Sequence, residues 1–222
     1  MDIIRARSNM IEQQVRPWDV LDQRVLDVLA EVPREAFVDP SRRGVAYSDF
    51  ALPIGHGQHM LKPTLDGRLL QALSPGLTDR ALEIGTGSGY LSACIARLCA
   101  RCESLEIVPE LASSAAARLA ELGVANVEVR ARDAAADWDA PVAYDAILFG
   151  GAVAEIPERY RRLLARGGRL VAVVGRADRP SMEAQLVTRV HDEEWACESL
   201  FETRVDPLVN FAAATSPAAF VF

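Results

Sequence analysis

The stretch Glu83-Ile84-Gly85-Thr86-Gly87-Ser88-Gly89-Tyr90 decides how this chain is read. It follows a short apolar run, Ala81 to Ile84, and opens a segment of helical spacing, Tyr90 to Cys99. Glycines between a strand and a helix allow a tight turn and close approach of a ligand to the backbone. The spacing departs from the dinucleotide fingerprint G-x-G-x-x-G, because Gly89 comes one position early and Tyr90 stands where glycine is expected. Glu83, two residues before Gly85, would repel a pyrophosphate. It suits a ligand that carries an ammonium and a sulfonium and no phosphate, and S-adenosylmethionine is such a ligand.

Two further acids extend this reading. Glu106 ends the next strand, about twenty residues past the first glycine, where an acid can bind both ribose hydroxyls. Asp133 follows the third strand and can accept a hydrogen bond from an adenine amino group. Their neighbours Ile107 and Ala134 complete the expected cofactor set. The plain alternatives are a solvated strand-end charge for Glu106 and a turn residue for Asp133.

Around the loop, strands and helices alternate. Strands are expected at Ala81 to Ile84, Ser104 to Val108, Val127 to Arg130, Tyr144 to Phe149 (entered from Pro141) and Leu170 to Val174. Helices are expected at Tyr90 to Cys99, from Pro109 to Gly123, and from Pro157 to a close at Gly167-Gly168. This alternation predicts an α/β fold with a doubly wound, mostly parallel sheet. Ala184 to Val190 and Glu198 to Val205, joined by the polar turn His191 to Glu194, read as an antiparallel hairpin at one edge. The N-terminal part reads as a helical extension. One helix runs from Ser8 to Val15, a second is capped by Asp19, and a third is capped by Thr64 after an irregular segment from Ser48. We expect a single domain over 1–222, in which 1–75 supplies helices and a covering loop and 76–222 the cofactor-binding core.

The net charge of −7 argues against a nucleic-acid partner. Arg159, Arg161, Arg162 and Arg166 read as a solvated helix face. No apolar run is long enough for a membrane span, and the N-terminus lacks a signal-peptide core, so a cytoplasmic protein is expected, monomeric rather than oligomeric. Cys99 and Cys102 have C-x-x-C spacing but no second ligand pair, so no metal is expected and small buried residues are the reading. Trp18 and Trp138 are expected to pack at element ends. Gly150-Gly151 either leaves room for a ligand or forms a simple turn.

From Arg34-Glu35-Ala36-Phe37-Val38 through Tyr47, Leu52 to Gln58, Gly85 to Tyr90, Glu106 to Leu111, Tyr144 to Ile147 and Gly167 to Val171, the sequence resembles the protein-L-isoaspartate O-methyltransferases, which are class I S-adenosylmethionine-dependent methyltransferases. The resemblance implies a carboxylate acceptor on damaged protein. It also implies that Gly85 to Tyr90, Glu106 and Asp133 hold the cofactor. The segment Ile54 to Pro63 would cover it and bind substrate, with Ile54, Gly55, Gln58, His59 and Lys62 as the candidate contacts.

One departure bears on the acceptor. Family members that repair isoaspartate carry Thr-Ile-Ser after the Gly-Gln pair, and here the triplet is His59-Met60-Leu61. Leu61 has no hydroxyl to offer. A carboxylate is already ionised at neutral pH and needs donors, which Lys62, His59 or backbone amides can supply. A hydroxyl or amine acceptor must lose a proton, and His59 would then be the catalytic base. A loop histidine without a role is the bland alternative; His56 has a weaker claim, and His191 reads as an exposed turn residue. Three functions follow: isoaspartyl carboxyl methylation, methylation of another peptide or small molecule on the same scaffold, and non-catalytic S-adenosylmethionine binding. A tRNA substrate fits poorly with the acidic charge.

Overall fold

The computed structural model describes residues 2–136, 140 and 143–211. Trp138, Pro141 and the tail beyond 211, all discussed above, lie outside them. The N-terminal part comprises helix α1 (Ile3–Asn9), a π-helical turn (Met10–Val15), a 3₁₀ turn (Arg16–Trp18), helix α2 (Gln23–Glu31) and two 3₁₀ turns (Arg34–Phe37, Pro40–Val45). A hairpin of β1 (Leu52–Gly55) and β2 (Gln58–Met60) leads into α3 (Pro63–Leu73). The core then runs β3 (Arg80–Ile84), α4 (Tyr90–Leu98), β4 (Arg101–Glu106), α5 (Pro109–Glu121), β5 (Val127–Ala131), β6 (Tyr144–Val153), α6 (Glu158–Arg162), β7 (Leu164–Val174), β8 (Met182–His191) and β9 (Glu194–Thr203).

Seven strands form one sheet in the order β5-β4-β3-β6-β7-β8-β9. The first five are parallel; β8 and β9 add the expected antiparallel hairpin. Both faces are buried, and the alternation along single strands shows it. Ala81, Ala146, Leu148, Val171 and Val173 belong to one core with α3, α4 and the N-terminal helices. Their neighbours Leu82, Ile147, Phe149, Leu170 and Ala172 belong to a second core with Tyr160 and Phe211. A strand presents successive side chains to opposite faces, so a sheet covered on both sides reads as unbroken apolar runs. The chain runs outward from β3 to β4 and β5 and then crosses back to β6 on the other flank of β3, and this reversal leaves a crevice at the C-terminal strand ends, where open α/β sheets bind ligands.

Several expectations need correction. Asp22, not Asp19, caps α2 by accepting from Arg24 N; Asp19 sits at φ 62° and ends the preceding turn. Leu21 accordingly lies before the helix and is exposed. Lys62 is the cap residue of α3, and Thr64, inside the helix, bonds Asp49 instead. The first helix begins at Ile3, and β4 starts three residues earlier than expected. The segment from Ser48 is not wholly irregular, because His56 (φ 53°) and Gly57 (φ 71°) form a two-residue turn that closes the β1–β2 hairpin. Two positive-φ central residues are what such a turn requires. Gly167-Gly168 does not close a helix; α6 ends at Arg162 and both glycines lie within β7. The C-x-x-C pair behaves as expected, since Cys94, Cys99 and Cys102 are buried free thiols.

Candidate active site

The crevice is a cleft of about 490 Å³, within the range of small-molecule sites. The glycine loop forms one wall. Gly85 (φ 89°), Gly87 (φ 54°) and Gly89 (φ 89°) all hold left-handed backbone, where other residues are strained. Gly85 and Gly87 line the cleft. Gly89 does not; it starts α4, and a Cβ there would lie 3.1 Å from the Ala115 side chain, so its glycine serves helix packing.

Glu106 sits at the end of β4 and lines the cleft. Its two oxygens accept from Gly87 N (2.8 Å) and Val108 N (3.0 Å). Each oxygen keeps a lone pair for a further donor, which fits a pair of ribose hydroxyls. Ile107, Asp133 and Ala134 line the same end. Asp133 accepts from Ala135 N (2.8 Å) and Asn210 Nδ2 (2.8 Å). The carbonyl of Ala134 is held by Tyr160 Oη (2.6 Å) and Arg159 Nη2 (2.6 Å). Arg159 thus braces this loop instead of belonging to a solvated face, whereas Arg162 pairs with Glu158 at the surface.

Glu83, Thr86, Ser88 and Tyr90 do not line the main cleft. They border a smaller adjoining cavity of about 30 Å³ behind the loop. That is room for one water or one small charged group. Glu83 is fully buried. Its Oε2 accepts from Ser92 Oγ and from Ser104 Oγ (2.6 Å), while Oε1 has no partner. Burial pushes its carboxyl up to about 7, against the pull of the two serine hydroxyls. Thr86 bonds Ser104 (2.6 Å), and Tyr90 packs edge-on against Phe37 beneath the Arg34 guanidinium. Tyr90 and Ser88 therefore shape the loop from behind.

The other end of the cleft is built by the cover. Ile54, Gln58, His59 and Lys62 line it, whereas Gly55 (φ 95°) sits in the exposed hairpin turn and does not. A Cβ on Gly87 would come within 3.1 Å of Ile54 Cδ1, so the hairpin lies directly on the loop. The hairpin is fixed by Arg34, which is fully buried and 32 residues distant from its ion-pair partner Asp66. Its guanidinium reaches Asp66 Oδ2 (2.5 Å), the Ala46 carbonyl (2.8 Å) and the Leu61 carbonyl. One planar fork thereby joins a 3₁₀ turn, the end of β2 and α3, a geometry lysine cannot match.

The residues that sequence reasoning missed lie mainly after β9. The segment Arg204 to Phe211 runs across the cleft as a strap, pinned to β6 by Ala152 N to Asp206 O (2.8 Å) and Leu208 N to Ala152 O (2.8 Å). Leu208 lies over the glycine surface, and a Cβ on Gly85 would meet its Cδ2 at 2.7 Å. Gly150 and Gly151 lie inside β6 and line the cleft; a Cβ on Gly150 would fall 2.7 Å from the Gly85 carbonyl. Asp206 accepts from His59 Nδ1 at 2.7 Å. Only the Gly150-Gly151 reading had signalled this side of the site.

The profile of the family "Protein-L-isoaspartate(D-aspartate) O-methyltransferase (PCMT)" matches residues 5–212. The chain is 39% identical over 204 residues to "Protein-L-isoaspartate O-methyltransferase 1" of Rhodopseudomonas palustris (strain HaA2), covering 92% of this chain and 83% of that protein. It is 39% identical over 218 residues to a protein-L-isoaspartate O-methyltransferase of Roseiflexus castenholzii, covering 97% of each. The fold matches that of a beta-aspartate methyltransferase from Plasmodium falciparum solved with S-adenosyl-L-homocysteine, with a TM-score of 0.77, 21% identity, and coverage of 95% of this chain and 99% of that one. The chain belongs to the protein-L-isoaspartate(D-aspartate) O-methyltransferase family and is an S-adenosylmethionine-dependent methyltransferase.

Proposed function

We propose that this enzyme methylates the free carboxylate of isoaspartyl residues in damaged proteins. The observation that carries this reading is the acceptor end of the cleft, where the His59 imidazole, paired with Asp206, lines the wall and the cationic side chains of Lys62 and Arg204, each engaged elsewhere, add positive charge. Such a lining suits an anion. It would oppose an amine acceptor, which binds as a cation at neutral pH.

S-adenosylmethionine, when bound, supplies a sulfonium-activated methyl group, and a carboxylate that takes it becomes a neutral ester. The chain's own part is to hold both partners and exclude water. Glu106 is placed to take the ribose hydroxyls and Asp133 the adenine amino group. Glu83, with one oxygen unpartnered beside the small cavity, fits the ammonium. The loop glycines supply the close approach, and Ile54 and Leu208 cover the site. Because the acceptor is already ionised, His59 is not needed as a base and serves as a donor.

The cover of 1–75 and the core of 76–222 act together as one domain in this reading. Reduced cysteines suit a cytoplasmic location, and no helix among the described residues is long and apolar enough to cross a membrane. We place the protein in the cytoplasm, as a monomer without a nucleic-acid partner. The test is methyl transfer from labelled S-adenosylmethionine to an isoaspartyl peptide, with the aspartyl peptide as control. Base-labile label on the isoaspartyl peptide alone is expected. Equal labelling of both peptides, or none while the cofactor binds, refutes the substrate assignment and favours another acceptor.

A further inference from the structure

We infer that His59, held by Asp206, is the residue that seats the acceptor carboxylate, replacing the serine hydroxyl that this chain lacks at Leu61. The inference rests on the carboxylate reading above. It starts from strand geometry. Residues two apart along a strand face the same side. His59 lies on β2 and Leu61 is the first residue past its end; both line the cleft, while Met60 between them is buried. The imidazole therefore stands on the side of the cover where the family's hydroxyl is absent.

Asp206 determines what the ring can do. Its Oδ2 lies 2.7 Å from His59 Nδ1, and its main chain is fixed to Ala152 on β6. Nδ1 is thus committed, and Nε2 has no protein partner among the described residues. A neutral ring with its proton on Nδ1 offers only a lone pair at Nε2 and repels a carboxylate. A protonated ring donates at both nitrogens and bridges Asp206 and the incoming anion. Substrate and proton must therefore bind together. Once the carboxylate becomes an uncharged ester, the charge-assisted contact is lost, which favours release.

Other charges near the ring leave Asp206 in control. Lys62, at the exit of the same hairpin, lies over the Trp18 ring, and Arg204 on the strap is spent on the carbonyls of Arg179 (2.5 Å) and Ala177 (3.0 Å). Across the small cavity, Asp66 on α3 is paired with Arg34, Glu83 on β3 is held toward its neutral form by burial, and burial also keeps the Tyr90 hydroxyl on α4 protonated.

The test combines a titration with a pH profile. The chain has three histidines, so the His59 imidazole can be followed by NMR with S-adenosylhomocysteine bound, before and after adding an isoaspartyl peptide. Peptide binding is expected to raise its pKa by about one unit or more. Asp206→Asn is expected to lower it in both states. In turnover, kcat/KM of the unmodified enzyme should fall about tenfold per pH unit above the free His59 pKa while kcat changes little. His59→Gln should lose on the order of 10- to 100-fold in kcat/KM and flatten that profile. His59→Ser, which restores a hydroxyl, should flatten it likewise. An unmoved His59 pKa on peptide binding, or a profile unchanged in His59→Gln, overturns the inference while leaving the substrate assignment intact. Absence of transfer to the isoaspartyl peptide at every pH overturns both.

Discussion

Replacing Glu83 with glutamine should stabilise the protein more the higher the pH. Glu83 is buried in a central strand, with Oε1 unpartnered and its carboxyl raised from 4.5 to about 7. Below pH 4.5 the carboxyl is protonated in both folded and unfolded chains, and burial costs nothing extra. As pH rises from there toward 7, the unfolded chain ionises first and the folded state loses stability, at about 1.4 kcal/mol per pH unit. Above pH 7 the loss is complete, at about 3 kcal/mol. Glutamine cannot ionise, and its carbonyl oxygen can still accept from Ser92 and Ser104. Urea unfolding of both proteins at pH 5 and pH 8 isolates the effect, because other groups titrate alike in each. The stability difference between variant and parent should grow by about 2–3 kcal/mol between the two pH values in favour of Glu83→Gln. Parallel pH dependences would refute the claim that burial drives Glu83 toward its neutral form. In the same variant, weaker cofactor binding in calorimetry would mark the ammonium contact.

Glu106→Ala should weaken S-adenosylmethionine binding on the order of 100-fold, since it removes a charged acceptor and strips partners from Gly87 N and Val108 N; unchanged affinity in calorimetry would remove Glu106 from the site. Arg34→Ala should cost about 3–5 kcal/mol in urea unfolding, because it leaves Asp66 buried without its countercharge; a loss under 1 kcal/mol would show that Asp66 simply takes up a proton. Gly150→Ala should lower stability by about 1–3 kcal/mol and reduce cofactor affinity together, because its methyl meets the Gly85 carbonyl; a fully stable variant would mean that the loop shifts freely.

How much of this was legible in the sequence depended on the range of the interaction. The glycine loop, Glu106 and Asp133 were readable because each sits at a strand end whose apolar run marks its position. The sheet was readable for the same reason. Helix caps were less so: Asp19 and Asp22 are both capping residues, and only Gln71, which accepts from Leu21 N and Asp22 N, fixes where α2 begins. The hairpin within the irregular segment depends on a histidine holding positive φ, which composition does not announce. Glu83 was expected beside a ligand and lies behind the loop with one oxygen at the small cavity, because a central strand buries the side chains from Ala81 to Ile84. Contacts across long chain separations were invisible: Arg34 with Asp66, and His59 with Asp206 across 147 residues, have no local signature.

The strap touches both ends of the cleft, through Asp206 to His59 and through Asn210 to Asp133. On the proposed assignment, an adenine amino group at Asp133 would share a carboxylate that Asn210 already donates to. The segment that carries Asn210 also carries, four residues earlier, the Asp206 that orients His59. One short stretch of backbone is thus common to the two ends of the cleft, so a change at either end bears on the other.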